Sequence, residues 1–331
     1  MPASKSSTAE LALHFIETRV DPTTSSAGLM SQLAHRQELI AYWDIQPGSR
    51  VLEIGCGQGD TTVALADAVG ENGKVVAIDP GSPDYGSPAT LAQAQAHILS
   101  TPLGPRITFQ FISPLLYLST YTGPAFDYIV LSHCIYYFAT PSSLPTLLIS
   151  LLPHTKTLCI AEWSLHASSL NQVPHVLTAL LLSTLESKRG EESSRYIRTV
   201  LSPAQITSAV LSTPTTSSTT STATTTNPSS ETPTPNPHQK FHLLKQATLP
   251  SNPTLEDPYW ETSYLLRTRD KEIALLRERQ RGGFVSESEI VDVEACYDVI
   301  EAMVGGLEGG VKGVRCMDFW VCVFGRVEVD M

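Results

Sequence analysis

The chain has 331 residues, 42% hydrophobic and 17% charged, enough for one elaborated domain or two ordinary ones at roughly 100–200 residues each. Its 22 lysines and arginines stand against 33 aspartates and glutamates, a formal charge of −11, which argues against a reader of phosphate backbones and against an anionic membrane surface. No apolar run reaches the roughly 18–20 residues that span a bilayer, and Met1–Glu10 lacks the apolar stretch of a signal peptide.

The six cysteines include no C-x-x-C pair, and Asn227 and Asn252 are each followed by proline, so neither opens a glycosylation sequon. Free buried thiols in a reducing compartment are the expectation, with the cytoplasm as location.

In chain order, a polar lead (1–27) precedes a predicted helix over Gly28–Tyr42, with Leu29, Leu33, Arg36, Leu39 and Ile40 at helical spacing. A strand is predicted at Arg50–Ile54, a helix at Thr61–Val69, a second strand at Lys74–Ile78 and a helix near Ala89–Leu99. Further strands are predicted at Ile107–Ile112, Asp127–Leu131 and Thr157–Ala161, with a helix over Ser142–Leu151 between the last two. Continuous apolar strands alternating with helices imply a parallel sheet covered on both faces.

Beyond Ala161, helices are predicted at Asn171–Lys188 and Pro203–Leu211, the second announced by Ser202 as N-cap and proline at the first helical position. From Ser212 to Pro237, 24 of 26 residues are Ser, Thr, Pro or Asn, a composition too poor in apolar surface to offset its ordering entropy, so a disordered loop is expected. Strands at Lys240–Leu249 and Asp318–Phe324 bracket two predicted helices, Pro258–Arg279 and Ser286–Val304. The expected organisation is the lead followed by one domain over 28–331, with the loop at 212–237 and a helical insertion at 256–310.

The sharpest motif is Val51-Leu52-Glu53-Ile54-Gly55-Cys56-Gly57-Gln58-Gly59-Asp60, a strand running into a glycine turn that opens a helix. Glycines remove a Cβ where the chain turns sharply or lets a ligand lie against the backbone. The second strand ends in Asp79, twenty residues after Gly59, where a carboxylate accepts hydrogen bonds from ribose hydroxyls. Asp60 stands where a dinucleotide fingerprint needs its third glycine, and Asp60-Thr61-Thr62 offers no P-loop lysine. An acid at a helix entrance disfavours pyrophosphate. An adenosine-like ligand without phosphates is the consequence.

Glu53-Ile54-Gly55-Cys56-Gly57-Gln58-Gly59 resembles the first motif, E-x-G-x-G-x-G, of the class I S-adenosylmethionine-dependent methyltransferases, with Asp79 on the family's ribose-binding acid. The resemblance implies an α/β, Rossmann-like, doubly wound sheet of seven strands in the order 3-2-1-4-5-7-6, the last strand antiparallel, plus helical insertions. It implies S-adenosyl-L-methionine as cofactor, held by Glu53, Gly55, Cys56, Gly57, Gly59 and Asp79, and by Ser132 and His133 after the fourth strand. Ser113, after the third strand, stands where the family commonly carries an acidic or amide reader of adenine.

Methyl transfer from a sulfonium requires alignment and a dry site, and a base only when the acceptor holds its proton. His133 is the candidate base, since an unperturbed imidazole accepts a proton near neutrality. Glu162, just after the fifth strand, is placed to orient it or to hold a polar acceptor, and His166 is a weaker candidate. Tyr136, Tyr137 and Trp163 are expected to wall a flat acceptor. Tyr42-Trp43 is read as a lid over the cofactor, and His35 and Arg36 as reaching the methionine carboxylate.

The expected activity is O- or N-methylation of a small organic molecule, with no nucleic acid, membrane or metal. Alternatives are a non-catalytic cofactor- or partner-binding protein on this fold, or a protein or RNA methyltransferase. The last is disfavoured by Ser132-His133-Cys134-Ile135 standing where an Asn/Asp-Pro-Pro-aromatic motif would be. The oligomeric state is left open.

Overall fold

A computed structural model describes residues 6–16, 26–87, 89–189, 197–213 and 239–328. In chain order the main elements are α1 (Thr8–Ala12), α2 (Ser26–Trp43), β1 (Arg50–Ile54), α3 (Asp60–Val69), β2 (Lys74–Asp79), α4 (Leu91–Leu99), β3 (Ile107–Phe111), α5 (Pro114–Thr120) and β4 (Phe126–Ser132). They continue with α6 (Ser143–Leu151), β5 (Thr155–Trp163), α7 (Val173–Ser187), α8 (Pro203–Leu211), β6 (Gln239–Leu249), α9 (Asp257–Arg267), α10 (Arg269–Arg281), α11 (Glu287–Gly305) and β7 (Phe319–Glu328).

Apolar runs buried on both faces build the centre of the sheet. Val51, Val130, Cys159 and Ala161 pack to one side, while Leu52, Ile54, Ile129, Leu131, Leu158 and Ile160 pack to the other. A strand covered on both sides has no solvent face for polar residues, which is why the centres of β4 and β5 read as unbroken apolar stretches and β1 does so but for Glu53. The order is β3-β2-β1-β4-β5-β7-β6, as the methyltransferase resemblance implies. The pairings from β3 to β5 are parallel, and β7 is antiparallel to both β5 and β6, with Leu158 opposite Phe324.

The first face is covered by α2, α3 and α7 through Leu33, Leu39, Leu65 and Leu182, and by α9, α10 and α11 through Leu265, Leu276 and Ile300. The second is covered by α6 and α8 through Leu144, Leu148, Leu151 and Ile206. Ser202 caps α8 as expected: its hydroxyl accepts the Gln205 N–H at 3.3 Å, and the Gln205 side chain accepts the Ser202 N–H at 2.9 Å.

Four sequence expectations change. The polar lead contains α1, closed by a Ser7–Glu10 capping box, with Leu11 and Phe15 buried in the core. The helix predicted over Pro258–Arg279 breaks at Thr268, whose hydroxyl donates back to the carbonyls of Tyr264 and Leu265 at 2.9 and 3.2 Å, a contact that competes with the helical ladder. The charges around α10, whose alternating signs in the sequence predict a solvated helix face, pair with the next helix as well, Arg269 reaching Asp298 and Glu301 at 2.6 Å each. Finally, Tyr42 and Trp43 are no lid. Trp43 is buried in the core, and the Tyr42 carbonyl accepts Lys245 Nζ of β6. Of the loop expected at 212–237, residues 214–237 lie outside the described residues.

Candidate active site

The glycine turn and the end of β2 are tied by hydrogen bonds. Gly55 and Cys56 donate their N–H groups to the Ile78 carbonyl at 2.8 and 3.2 Å, and Gly57 donates to Asp79 Oδ2 at 2.8 Å. The other Asp79 oxygen accepts the Gly81 N–H at 2.7 Å. The carboxylate is therefore held in place by two backbone donors, with lone pairs left on both oxygens.

The three glycines do different work. A Cβ on Gly55 would lie 2.7 Å from Cys134 Cβ, and one on Gly59 would lie 2.6 Å from Ile98 Cδ1, so at both positions filled space adds to the demand of a positive φ, +79° and +101°. At Gly57 a Cβ would meet nothing within 4 Å, and its φ is +51°. The surface above Gly57 is open while its backbone sits in the left-handed region, the combination that admits a ligand against the chain.

Beneath the turn, Glu53 is 1% exposed and accepts the Thr62 hydroxyl at 2.5 Å. Burial raises its carboxyl to about 8, against the opposing pull of the Thr62 bond and the Arg36 charge. Burial also raises Asp60 at the head of α3, again opposed by Arg36, and pushes the Cys56 thiol up. The Arg36 Nε is buried with no hydrogen-bond partner among the described residues.

The second half of the site follows β4. Ser132 is buried and its hydroxyl has no partner among the described residues. His133 has φ +49° and donates its backbone N–H to the Ala161 carbonyl at 2.9 Å. For a residue other than glycine that conformation is uncommon and marks a place where the surroundings dictate the backbone. Glu162 is part of those surroundings. One of its oxygens accepts Ile135 and Tyr136 N–H groups at 3.0 and 3.4 Å, while the other accepts the Trp163 N–H at 3.0 Å and lies 3.5 Å from His133 Nδ1. Burial lowers the His133 pKa, partly offset by Glu162.

The remaining residues expected at the site divide. Trp163 is buried with its ring 4.5 Å from that of His133, and Tyr137 is 51% exposed on the following turn. Tyr136 is 2% exposed and donates its hydroxyl to the Trp163 carbonyl at 3.1 Å, so it braces the turn and presents no free group. Ser113 caps α5, accepting the Leu116 N–H at 3.3 Å. His166 pairs with Asp318 at 2.7 Å, at the β5–β7 edge.

Two residues weigh more than the sequence suggested. His35 of α2 is fully buried, and its Nε2 lies 2.8 Å from His133 Nε2. His175 of α7 accepts the Met317 N–H on Nδ1 at 2.9 Å, so its Nε2 carries the proton it shares with Glu261 of α9, 2.9 Å away. No sequence motif links either pair, since their members come from separate elements.

A sheet of this order with a glycine turn hydrogen-bonded to an acid at the next strand end defines the class I methyltransferase fold. Residues 45–211, just over half of the chain, match the family described as "Methyltransferase domain", and the chain belongs to that family. It is similar to methyltransferase phomM of Diaporthe leptostromiformis, 32% identical over 170 residues covering 44% of each protein. It is also similar to demethylmenaquinone methyltransferase of Bacillus cereus, 44% identical over 64 residues, 19% of this chain and 27% of that protein. The chain thus spans less than half the length of these relatives. Among solved structures, a cyclopropane-fatty-acyl-phospholipid synthase-like protein from Lactobacillus casei superposes with a TM-score of 0.66 at 28% identity, covering 89% of this chain and 91% of that one.

The cofactor of the family is S-adenosylmethionine. The residues present fit it: an open surface over Gly57, a fixed carboxylate at Asp79, and the unpartnered Ser132 hydroxyl and Arg36 Nε.

Proposed function

We propose that the protein transfers a methyl group from S-adenosylmethionine to an oxygen or nitrogen of a small organic acceptor. The observation that carries this reading is the meeting of two half-sites at neighbouring strand ends. Gly55 of the glycine turn packs against Cys134, the residue after His133, so the glycine turn and the segment carrying His133 adjoin at the ends of paired strands.

In this reading Asp79 accepts the ribose hydroxyls, Glu53, Gly55, Cys56, Gly57 and Gly59 form the cradle, Ser113 lies toward the adenine, and Ser132 and His133 face the methionine end. Arg36, whose charge is felt by Glu53, Asp60 and His133, meets the methionine carboxylate. The bound cofactor supplies an electrophilic methyl group on a sulfonium. The chain itself supplies alignment and dryness: fixing the reactants in line is worth roughly 7–11 kcal/mol of barrier. Burial keeps His133 neutral at working pH, so it draws the acceptor's proton as methyl transfer proceeds, with Glu162 orienting the imidazole. Tyr137 and Trp163, with Tyr136 behind them, wall the acceptor.

Demethylmenaquinone methyltransferase, a relative named for a small-molecule acceptor, favours this class. The Lactobacillus neighbour's name points to a lipid acyl chain, but Arg36, Glu162 and Asp257 lie close enough to His133 to act on it electrostatically, and these charges favour a polar acceptor. All six cysteines are free, in keeping with a cytoplasmic location. We take 28–331, with α1 packed into its core, as one domain, because a single sheet uses residues 50 to 328.

The test is calorimetry with S-adenosylhomocysteine, followed by transfer of a labelled methyl group into a small-molecule extract and, in parallel, into phospholipid vesicles. Micromolar binding and label in a small polar product are expected. Absence of binding sinks the reading, binding without label in any product returns the non-catalytic alternative, and label in vesicle lipid moves the acceptor to an acyl chain.

A further inference from the structure

His35 is a buried histidine whose ring packs against three other rings, one of which is its hydrogen-bond partner. It stacks on Trp163 at 6.2 Å and 6°, meets Phe319 edge-on at 4.6 Å, and places Nε2 2.8 Å from His133 Nε2. Its Nδ1 is buried with no partner among the described residues. Two imidazole nitrogens at that distance share one proton, so the pair has two possible arrangements.

If His133 donated, its Nδ1 would turn a lone pair toward Glu162 Oε1, 3.5 Å away, and His35 Nδ1 would carry a buried proton with no acceptor. If His35 donates, His133 Nδ1 carries its proton toward that carboxylate, and the orphaned His35 Nδ1 is a bare lone pair. His133 Nδ1 makes no hydrogen bond in either arrangement, but in the second its N–H faces a carboxylate 3.5 Å away, whereas in the first a lone pair would face that carboxylate and the His35 Nδ1–H would face no acceptor among the described residues, so the second arrangement prevails. The left-handed backbone of His133, pinned by its bond to Ala161, leaves the ring between these two partners.

We propose that His35 is a positioning residue for His133: by donating Nε2–H to His133 Nε2, it fixes His133 as the tautomer protonated on Nδ1, with the basic nitrogen on Nε2. This rests on the reading of His133 as the base, whose acceptor would then replace the His35 donor at Nε2. The charged or titratable groups facing His133 are His35 and Arg36 from α2, Glu162 from β5 and Asp257 from α9. His35 and Arg36 oppose a proton on the imidazole, and Glu162 and Asp257 favour it.

The experiment is nitrogen-15 NMR of the histidine side chains in the full-length protein without ligand, comparing wild type with His35→Gln and His35→Phe. Folding is checked by the amide spectrum. Wild type is expected to show His133 protonated on Nδ1. His35→Gln, which retains an N–H donor, keeps that tautomer, and His35→Phe mixes the two forms. In the Phe variant alone, the acid limb of kcat/KM moves to higher pH by about one unit. A wild-type His133 protonated on Nε2, or a Phe variant with an unchanged tautomer, overturns the proposal. A changed tautomer with an unmoved pH limb supports the positioning role of His35 and counts instead against His133 as base.

Discussion

The Gly57 amide donates to Asp79 Oδ2 at 2.8 Å, joining the two strongest sequence signals through one hydrogen bond. The acid's position is therefore set by the turn it serves. Any ligand seated over Gly57 meets a carboxylate that is already oriented.

Gly57 and Gly59 separate by experiment. In Gly57→Val the new side chain enters open space, so the fold loses only the left-handed backbone preference, about 1–2 kcal/mol, while S-adenosylhomocysteine affinity falls at least tenfold. In Gly59→Ala the Cβ collides with Ile98 Cδ1 at a backbone φ of +101°, and stability drops by about 1–3 kcal/mol, while affinity of the folded protein falls less than in Gly57→Val. Urea midpoints and calorimetry on both variants check the contrast; equal affinity losses would refute it.

Arg36 is expected to discriminate between ligands. Arg36→Gln weakens S-adenosylhomocysteine by about tenfold, the loss of one charge-assisted contact. It leaves methylthioadenosine, which lacks the amino-acid end, unaffected. If both ligands weaken equally, Arg36 supports the fold and does not touch the methionine carboxylate.

Glu53 makes stability fall with pH. Its carboxyl holds a proton up to about 8 in the folded chain, whereas the unfolded chain releases it near 4.5. Between those values the native state binds the extra proton, so stability declines as pH rises from about 4.5 toward 8 and levels off above. Glu53→Gln, a neutral mimic that still accepts the Thr62 hydroxyl, flattens that slope. Urea midpoints from pH 5 to 8.5 are the measurement, and parallel slopes for the two proteins would remove Glu53 as the cause.

Glu162 serves structure and chemistry together. Glu162→Ala strips the acceptors from the Ile135 and Trp163 N–H groups, costing about 1–3 kcal/mol for each buried donor left unpaired. Glu162→Gln retains one accepting oxygen. The melting temperature should therefore fall much further in the alanine variant, while turnover falls in both; a thermally silent alanine variant contradicts the bonding described here.

What the sequence made legible depended on distance along the chain. The glycine turn and Asp79 were readable because each signal lies within a few residues or one strand–helix unit, and the strand order followed from the family that those residues resemble. His35 with His133, and His175 with Glu261, lie 98 and 86 residues apart and meet only once the helices pack. The lid expected at Tyr42-Trp43 failed for a geometric reason. Periodicity shows which face of α2 is buried but not which end approaches the site, and 18 residues of helix carry the chain about 27 Å. The site lies near His35, and Trp43 is two turns away in the core. The break at Thr268 was hidden because threonine is tolerated inside helices, and only its bond back to Tyr264 reveals the bend.

The strand made last among those described, β7, lies inside the sheet, between β5 and a β6 that precedes it by some seventy residues. During synthesis β6 has no neighbour to pair with until residues 319–328 leave the ribosome. Before that moment β5 exposes an unpaired apolar edge, the kind of surface that invites aggregation. Completion of the sheet is thus a late event, and a ribosome stalled a dozen residues short of β7 would display a chain in need of a chaperone.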